Sequence, residues 1–217
     1  MPSHHSSLAQ AVTGRTLEVG ILLFPGVEVL DFAGPFEVFS VASRVALRDG
    51  LLGHPAFRVT TIAAQPGAVA ARHGLQVIPS ATFAEHPALD LLIVPGGVVN
   101  QPLEDTATLD WIGANAGSAA ITASVCTGAF LLARLGLLDG LTATTHWEDL
   151  DDLRASFPAL EVIGSVPFVD HGRLLTSAGI SAGIGMSLHL VGRVLGLPAA
   201  QATARQMQYD WDGEAQA

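Results

Sequence analysis

The stretch Ala120-Ile-Thr-Ala-Ser-Val-Cys126-Thr-Gly-Ala-Phe-Leu-Leu-Ala133 constrains the fold of this 217-residue chain more than any other. Up to Val125 it is a run of small and β-branched residues with few polar groups, the pattern of a buried parallel strand. From Thr127 onward, Phe130, Leu131, Leu135 and Leu138 recur at helical spacing. Cys126 falls at the switch between the two, the strand–nucleophile–helix arrangement of a nucleophile elbow with Cys in the place of Ser. Gly128 and Ala129 leave such a turn uncrowded. A thiol there faces the positive end of the following helix, which predicts a depressed thiol pKa and ready oxidation by peroxide. A lone Cys in an apolar run also serves as a small core hydrophobe. Its place at the junction, ahead of Thr-Gly, tips the reading toward chemistry.

The rest of the chain alternates around this unit. Strands are read at Leu17–Phe24, Phe57–Ala64, Leu89–Val94 and Leu141–His146, each rich in β-branched or large apolar residues. Helices are read from Pro35 to about Val45, over Thr106–Asn115 and Trp147–Phe157, and as a final pair at Ser181–Leu195 and Pro198–Met207. Ala71–Pro79 reads as a short hairpin arm. Val162–Val169 and Arg173–Thr176 are expected to pair across the turn at Asp170–Gly172. The alternation predicts an α/β fold: a flavodoxin-like, doubly wound, mostly parallel sheet with helices on both faces. Residues 1–16 read as a flexible leader and 17–217 as one domain, because no repeat or linker interrupts the composition.

Composition narrows the function. Hydrophobic residues make up 49% of the chain and charged residues 14%, which suits a packed core. The net charge of −10, with ten scattered basic side chains, argues against a nucleic-acid surface. No apolar run reaches membrane-spanning length unbroken, and the polar start lacks the order of a signal peptide. One Cys permits no intramolecular disulfide, and a single thiol fits a reducing cytoplasm.

In doubly wound sheets, ligands bind beyond the carboxyl ends of the strands. Three strands end there in chemistry-bearing loops, leading to Asp31, to Gly96-Gly97 and to Cys126. Bare backbone N–H groups at Gly96 and Gly97, with that of Thr127, are candidate oxyanion donors. Asp31 is the candidate carboxyl partner, and equally a candidate N-cap. A Gly-Gly pair is also an ordinary turn. His146 is either a base for Cys126 or, the favoured reading, a packed His beside Trp147. The scattered His residues offer no metal motif, and no cofactor is called for.

Leu23-Phe-Pro-Gly-Val27, Leu30-Asp31 with Gly34-Pro35, Val94-Pro-Gly-Gly97, Ser124-Val-Cys-Thr-Gly128, Gly136-Leu-Leu-Asp-Gly140, Thr144-Thr-His-Trp147 and Ser177-Ala-Gly-Ile-Ser-Ala-Gly-Ile184 together resemble the ThiJ/PfpI superfamily, over residues 17 to about 211. The resemblance implies the class I glutamine-amidotransferase-like fold. Within the superfamily, the Asp31 segment and the Cys-Thr-Gly elbow resemble isonitrile hydratases and the sensor domains of AraC-type regulators. Peptidase members carry His where Thr127 stands. The hydratase resemblance implies that Cys126 attacks R–N≡C, that Asp31 relays the proton, and that Thr127 orients substrate or water through its hydroxyl. It also implies a small-molecule substrate, no metal and a homodimer. The sensor resemblance implies binding without turnover; such regulators carry a helix-turn-helix after the sensor, and a chain ending at Ala217 leaves no room for one. A glyoxalase or stress-response role is a third implication, although those members usually place Glu opposite the Cys. Phe36, Trp147 and Ile180 are candidate pocket residues. Gly185 stands where the family often has Asp, and Tyr209-Asp210 matches the close of the hydratases.

Overall fold

The computed structural model describes residues 4–211 and Gly213. In chain order it forms α1 (His4–Gly14), β1 (Leu17–Leu23), α2 (Val29–Arg48), β2 (Phe57–Ala63), β3 (Val69–Ala70), β4 (Gln76–Val77), β5 (Ala81–Thr82), β6 (Leu91–Val94), α3 (Asn100–Glu104) and α4 (Thr106–Ser118). It continues through β7 (Ile121–Val125), α5 (Gly128–Arg134), β8 (Thr142–Ala143), α6 (Leu150–Ser156), β9 (Glu161–Val162), β10 (Phe168–Asp170), β11 (Leu174–Ser177), α7 (Ala182–Leu195) and α8 (Leu197–Gln206).

Seven strands make the main sheet, in the order β10-β11-β7-β6-β1-β2-β5, with only β10 antiparallel to its neighbour. From β1 the chain crosses outward to β2; the next long crossover returns to the other side of β1 as β6 and continues to β7 and β11. Right-handed crossovers then place α2 and α4 on opposite faces. The central strands are buried on both sides: all of β6 and β7, and β1 apart from Glu18, lie in the core. Strand order reverses between β1 and β6, so a crevice opens at their carboxyl ends. Register levels the ends that matter: Val94 lies beside Ser124, and Val125 beside Ser177. The expected α/β, doubly wound architecture is therefore the observed one.

Several local readings are corrected. Residues His4–Gly14, expected within a flexible leader, form α1, which buries Leu8 and Val12 in the core. Beside it, Arg15 donates two hydrogen bonds to Asp90, at 2.6 and 2.7 Å, and Asp90 also accepts from the Glu18 N–H. Met1–Ser3 of that expected leader lie outside the described residues. The helix read from Pro35 starts at Val29, and Pro35 lies inside it. The bond lost there is the one that would have reached the Asp31 carbonyl. Leu141–His146 does not join the main sheet; only Thr142–Ala143 is strand, paired with Glu161–Val162 as a small separate ladder. That pairing takes Val162 away from the hairpin, which begins at Phe168. Gln76-Val77 and Val69-Ala70 form the expected hairpin arm.

Candidate functional site

Cys126 follows β7 with φ of +56°, a left-handed conformation that costs an L-residue energy and persists where the surroundings enforce it. The enforcement is visible. The Cys126 N–H donates to the carbonyls of Ser177 and Ala178, at 3.2 and 3.3 Å, and its own carbonyl accepts from the Thr145 hydroxyl at 2.8 Å. This is the expected elbow, and it lifts the thiol out of the sheet at the crevice. Ile180 is a second strained residue, at φ of +52°, which is rarer still for a β-branched side chain. Its N–H and that of Thr127 both favour the charged form of the Cys126 sulfur.

Asp31, in the first turn of α2, is wholly buried beneath the thiol. Its Oδ2 accepts the Gly96 N–H at 3.0 Å, while Oδ1 is buried with no hydrogen-bond partner. Cys126 is near enough to pull on the carboxyl, although no bond of ordinary geometry joins the two. Burial dominates the electrostatics of both groups. It pushes the Asp31 carboxyl up to about 7, against the pull of the Gly96 N–H. It pushes the Cys126 thiol up to about 12, with the Asp31 charge adding to the shift and the Thr127 and Ile180 N–H groups opposing it. The expected depressed thiol pKa is thus overturned: a buried site beside a carboxylate outweighs the two N–H groups and the seven-residue α5. At neutral pH the resting sulfur is S–H.

The glycine loop also works differently from the expectation. Gly96 spends its N–H on Asp31, and Gly97 donates its N–H to Thr127 Oγ1 at 2.9 Å. In return the Thr127 hydroxyl donates to the Gly97 carbonyl at 3.0 Å. Neither glycine N–H is left for an oxyanion, and the Thr127 hydroxyl is a latch between two loops. Glycine is needed there for close approach. At Gly97, whose φ is +134°, a Cβ would collide with the Gly26 carbonyl; at Gly96 it would lie 2.5 Å from Thr127 Oγ1. The loop after β1 closes the arrangement, with Glu28 donating its N–H to the Gly96 carbonyl at 2.9 Å.

Above the thiol opens a cavity of about 270 Å³, lined by Cys126, Thr127, Gly97 and Ile180 and walled by Glu28, Arg72, His146 and Asp149 among others. His146 therefore faces the cavity of Cys126 and is not simply packed. Trp147, expected to fix it by packing, is largely exposed. What fixes it is Gly179, where any Cβ would strike the imidazole. His146 Nδ1 accepts the Glu148 N–H at 3.3 Å and lies 3.4 Å from Asp149 Oδ2. Of the candidate pocket residues, Ile180 lines the cavity while Phe36 and Trp147 do not. Gly185 has open space beside it, and Asp210 is exposed away from the site. Sequence reading missed Glu28, Arg72, Asn100, Glu148 and Asp149. Arg72 and Glu28 meet across 44 positions, which no local pattern signals. Among the described residues, no three His, Cys, Asp or Glu side chains gather into a metal site.

Known proteins resemble this chain in sequence and in fold. Residues 18–193 match the DJ-1/PfpI family. The chain is 37% identical to isonitrile hydratase of Pseudomonas putida over 89% of its length and 78% of that protein. It is 31% identical to the HTH-type transcriptional regulator GbdR of Pseudomonas aeruginosa over 88% of its length, and it spans only 50% of that regulator. A ThiJ/PfpI family protein of Pseudomonas syringae superposes with a TM-score of 0.78 at 28% identity, covering 94% of this chain and 79% of that one.

Proposed function

The chain belongs to the DJ-1/PfpI family, and from that premise we propose that it is an isonitrile hydratase-like lyase, adding water to R–N≡C to give an N-substituted formamide. The observation that carries the reading is the sole thiol at a strained elbow, lining a cavity and set over a buried carboxyl, with the Thr127 and Ile180 N–H groups favouring its charged form.

The chemistry follows from that arrangement. The resting thiol keeps its proton, so attack needs a base. Asp31, held near neutrality, is matched to take the proton at working pH. As Sγ bonds to the terminal isonitrile carbon, Asp31 returns the proton to that carbon, giving the thioimidate R–N=CH–S–Cys126. Water then adds to the thioimidate carbon, the nitrogen takes up a proton, and the C–S bond breaks to release R–NH–CHO and the thiol. The Thr127 and Ile180 N–H groups stabilise negative charge on sulfur at attack and at departure. The Thr127 hydroxyl positions the elbow against Gly97. His146, which lines the cavity, is the group assigned to hold the incoming water.

The test is incubation with a small alkyl isonitrile, following the formamide by NMR and any adduct by intact-protein mass spectrometry. Turnover that vanishes in Cys126→Ala is the expected result; neither product nor adduct overturns the reading. A second reading, a ligand-binding module without turnover, draws on the match to GbdR over half of that regulator. Saturable ligand binding with no product would favour it. The proposal retains a homodimer and a cytoplasmic location. Among the described residues, no helix is long and apolar enough to cross a membrane.

A further inference from the structure

The cavity walls carry a charge pattern that the reaction itself does not require. Glu28, Glu148 and Asp149 face into it against one guanidinium, Arg72, and one imidazole, His146. The charges are grouped. Arg72 Nη1 donates to Glu28 Oε2 at 3.3 Å, which settles one carboxylate. Glu148 and Asp149 both lie near His146, at 3.7 and 3.4 Å from its Nδ1, and among the described residues no other cation pairs with them. Even with that imidazole protonated, the wall stays net negative. Asp31 lies beneath the same thiol. Two further features bear on size and polarity. The cavity holds only about 270 Å³, at the small end for ligand sites, and Asn100 adds another polar group to its lining.

We infer that the site selects compact substrates carrying a positively charged or hydrogen-bond-donating substituent, seated against Glu148 and Asp149, over bulky apolar or anionic ones. The inference rests on the hydratase reading for its reaction but not for its charge preference. Burial holds the Asp149 carboxyl above its ordinary range; His146 opposes the shift, and Asp152 and Glu148 add to it, so the imidazole beside it does not offset burial and the neighbouring carboxylates. A cation placed there with its reactive carbon toward Sγ meets opposite charge on side chains that are 63% and 35% exposed, so the attraction is partly screened and weakens as salt rises.

Two measurements separate the ideas. The first uses methanethiosulfonate reagents, in which the Cys126 sulfur forms a disulfide with the transferred thioalkyl group and methanesulfinate leaves. The rates of aminoethyl and sulfonatoethyl methanethiosulfonate are each divided by the rate with mercaptoethanol. The corrected cation-to-anion ratio should be on the order of ten. In Glu148→Gln/Asp149→Asn it should fall toward unity. A wild-type ratio near unity, or one the double variant leaves unchanged, overturns the inference. The second compares an aminoalkyl, an alkyl and a carboxyalkyl isonitrile of one chain length. Preference for the aminoalkyl compound supports the inference, and equal turnover of all three overturns it. If the cationic reagent is favoured but no isonitrile is hydrated, the charge preference stands and the hydratase reading alone fails.

Discussion

Asp31 gives the sharpest expectations at the scale of single residues. Its carboxyl ionises at about 7 in the folded chain against 3.8 for the free group, so between these values the folded state holds a proton that the unfolded state has lost. Stability therefore falls as pH rises through that window and levels off above it, by about 4 kcal/mol in all. Asp31→Asn should remove this slope, so urea unfolding at pH about 4 and about 8 should show the variant gaining on the wild type at the higher pH. The same substitution should lower hydratase turnover by about 10²–10⁴-fold, because an amide relays no proton. With the Asp31 charge gone, the thiol pKa should drop, which the ultraviolet absorbance of the thiolate would report. Thr127→Val strands the Gly97 N–H and should cost about 1–3 kcal/mol of stability, with a smaller loss of turnover than Asp31→Asn. The reverse order of the two turnover losses would remove Asp31 from the proton relay. The residues bearing these expectations were legible in sequence, because Cys126, Asp31 and Thr127 each sit in a recognisable local pattern. Their electrostatics were not. Helix placement argues for a thiolate, and only the burial of the thiol over a carboxyl decides the opposite.

Among elements, α7 offers the clearest test. Gly185 lies in its interior with nothing within 4 Å of a Cβ, so a helix-weakening residue sits there without a packing reason. Gly185→Ala should raise stability by about 0.5–1 kcal/mol, seen as a higher denaturation midpoint. Gly179→Ala should do the opposite and disturb the cavity, since the imidazole of His146 fills the space. Legibility at this scale follows length and burial. Strand β6 is a continuous apolar run, and β1, β2 and β7 are rich in apolar and β-branched residues, so all four could be read directly. Two-residue strands such as β5, β8 and β9 are fixed by what they pair with, which sequence does not display. α1 was hidden because its polar residues outnumber the two, Leu8 and Val12, that anchor it.

For the whole molecule, the expected homodimer has a physical motive in the exposed Val98, Trp147 and Ile180 around the cavity and in Leu30 and Phe36 on α2. Light scattering at micromolar concentration should give twice the chain mass of 22.4 kDa. A monomer there would refute it. The latch of Thr127 to Gly97, the bond from Glu28 to Gly96 and the register of β6, β7 and β11 all converge on one mostly hidden sulfur. Because that thiol is the chain's only one, it can serve as a clock for the native state. An aromatic disulfide too large for the cavity can label it only when the middle of the sheet opens. The dependence of labelling rate on denaturant then measures how much surface each opening exposes, and so whether the centre of the sheet breathes alone or unravels with everything around it.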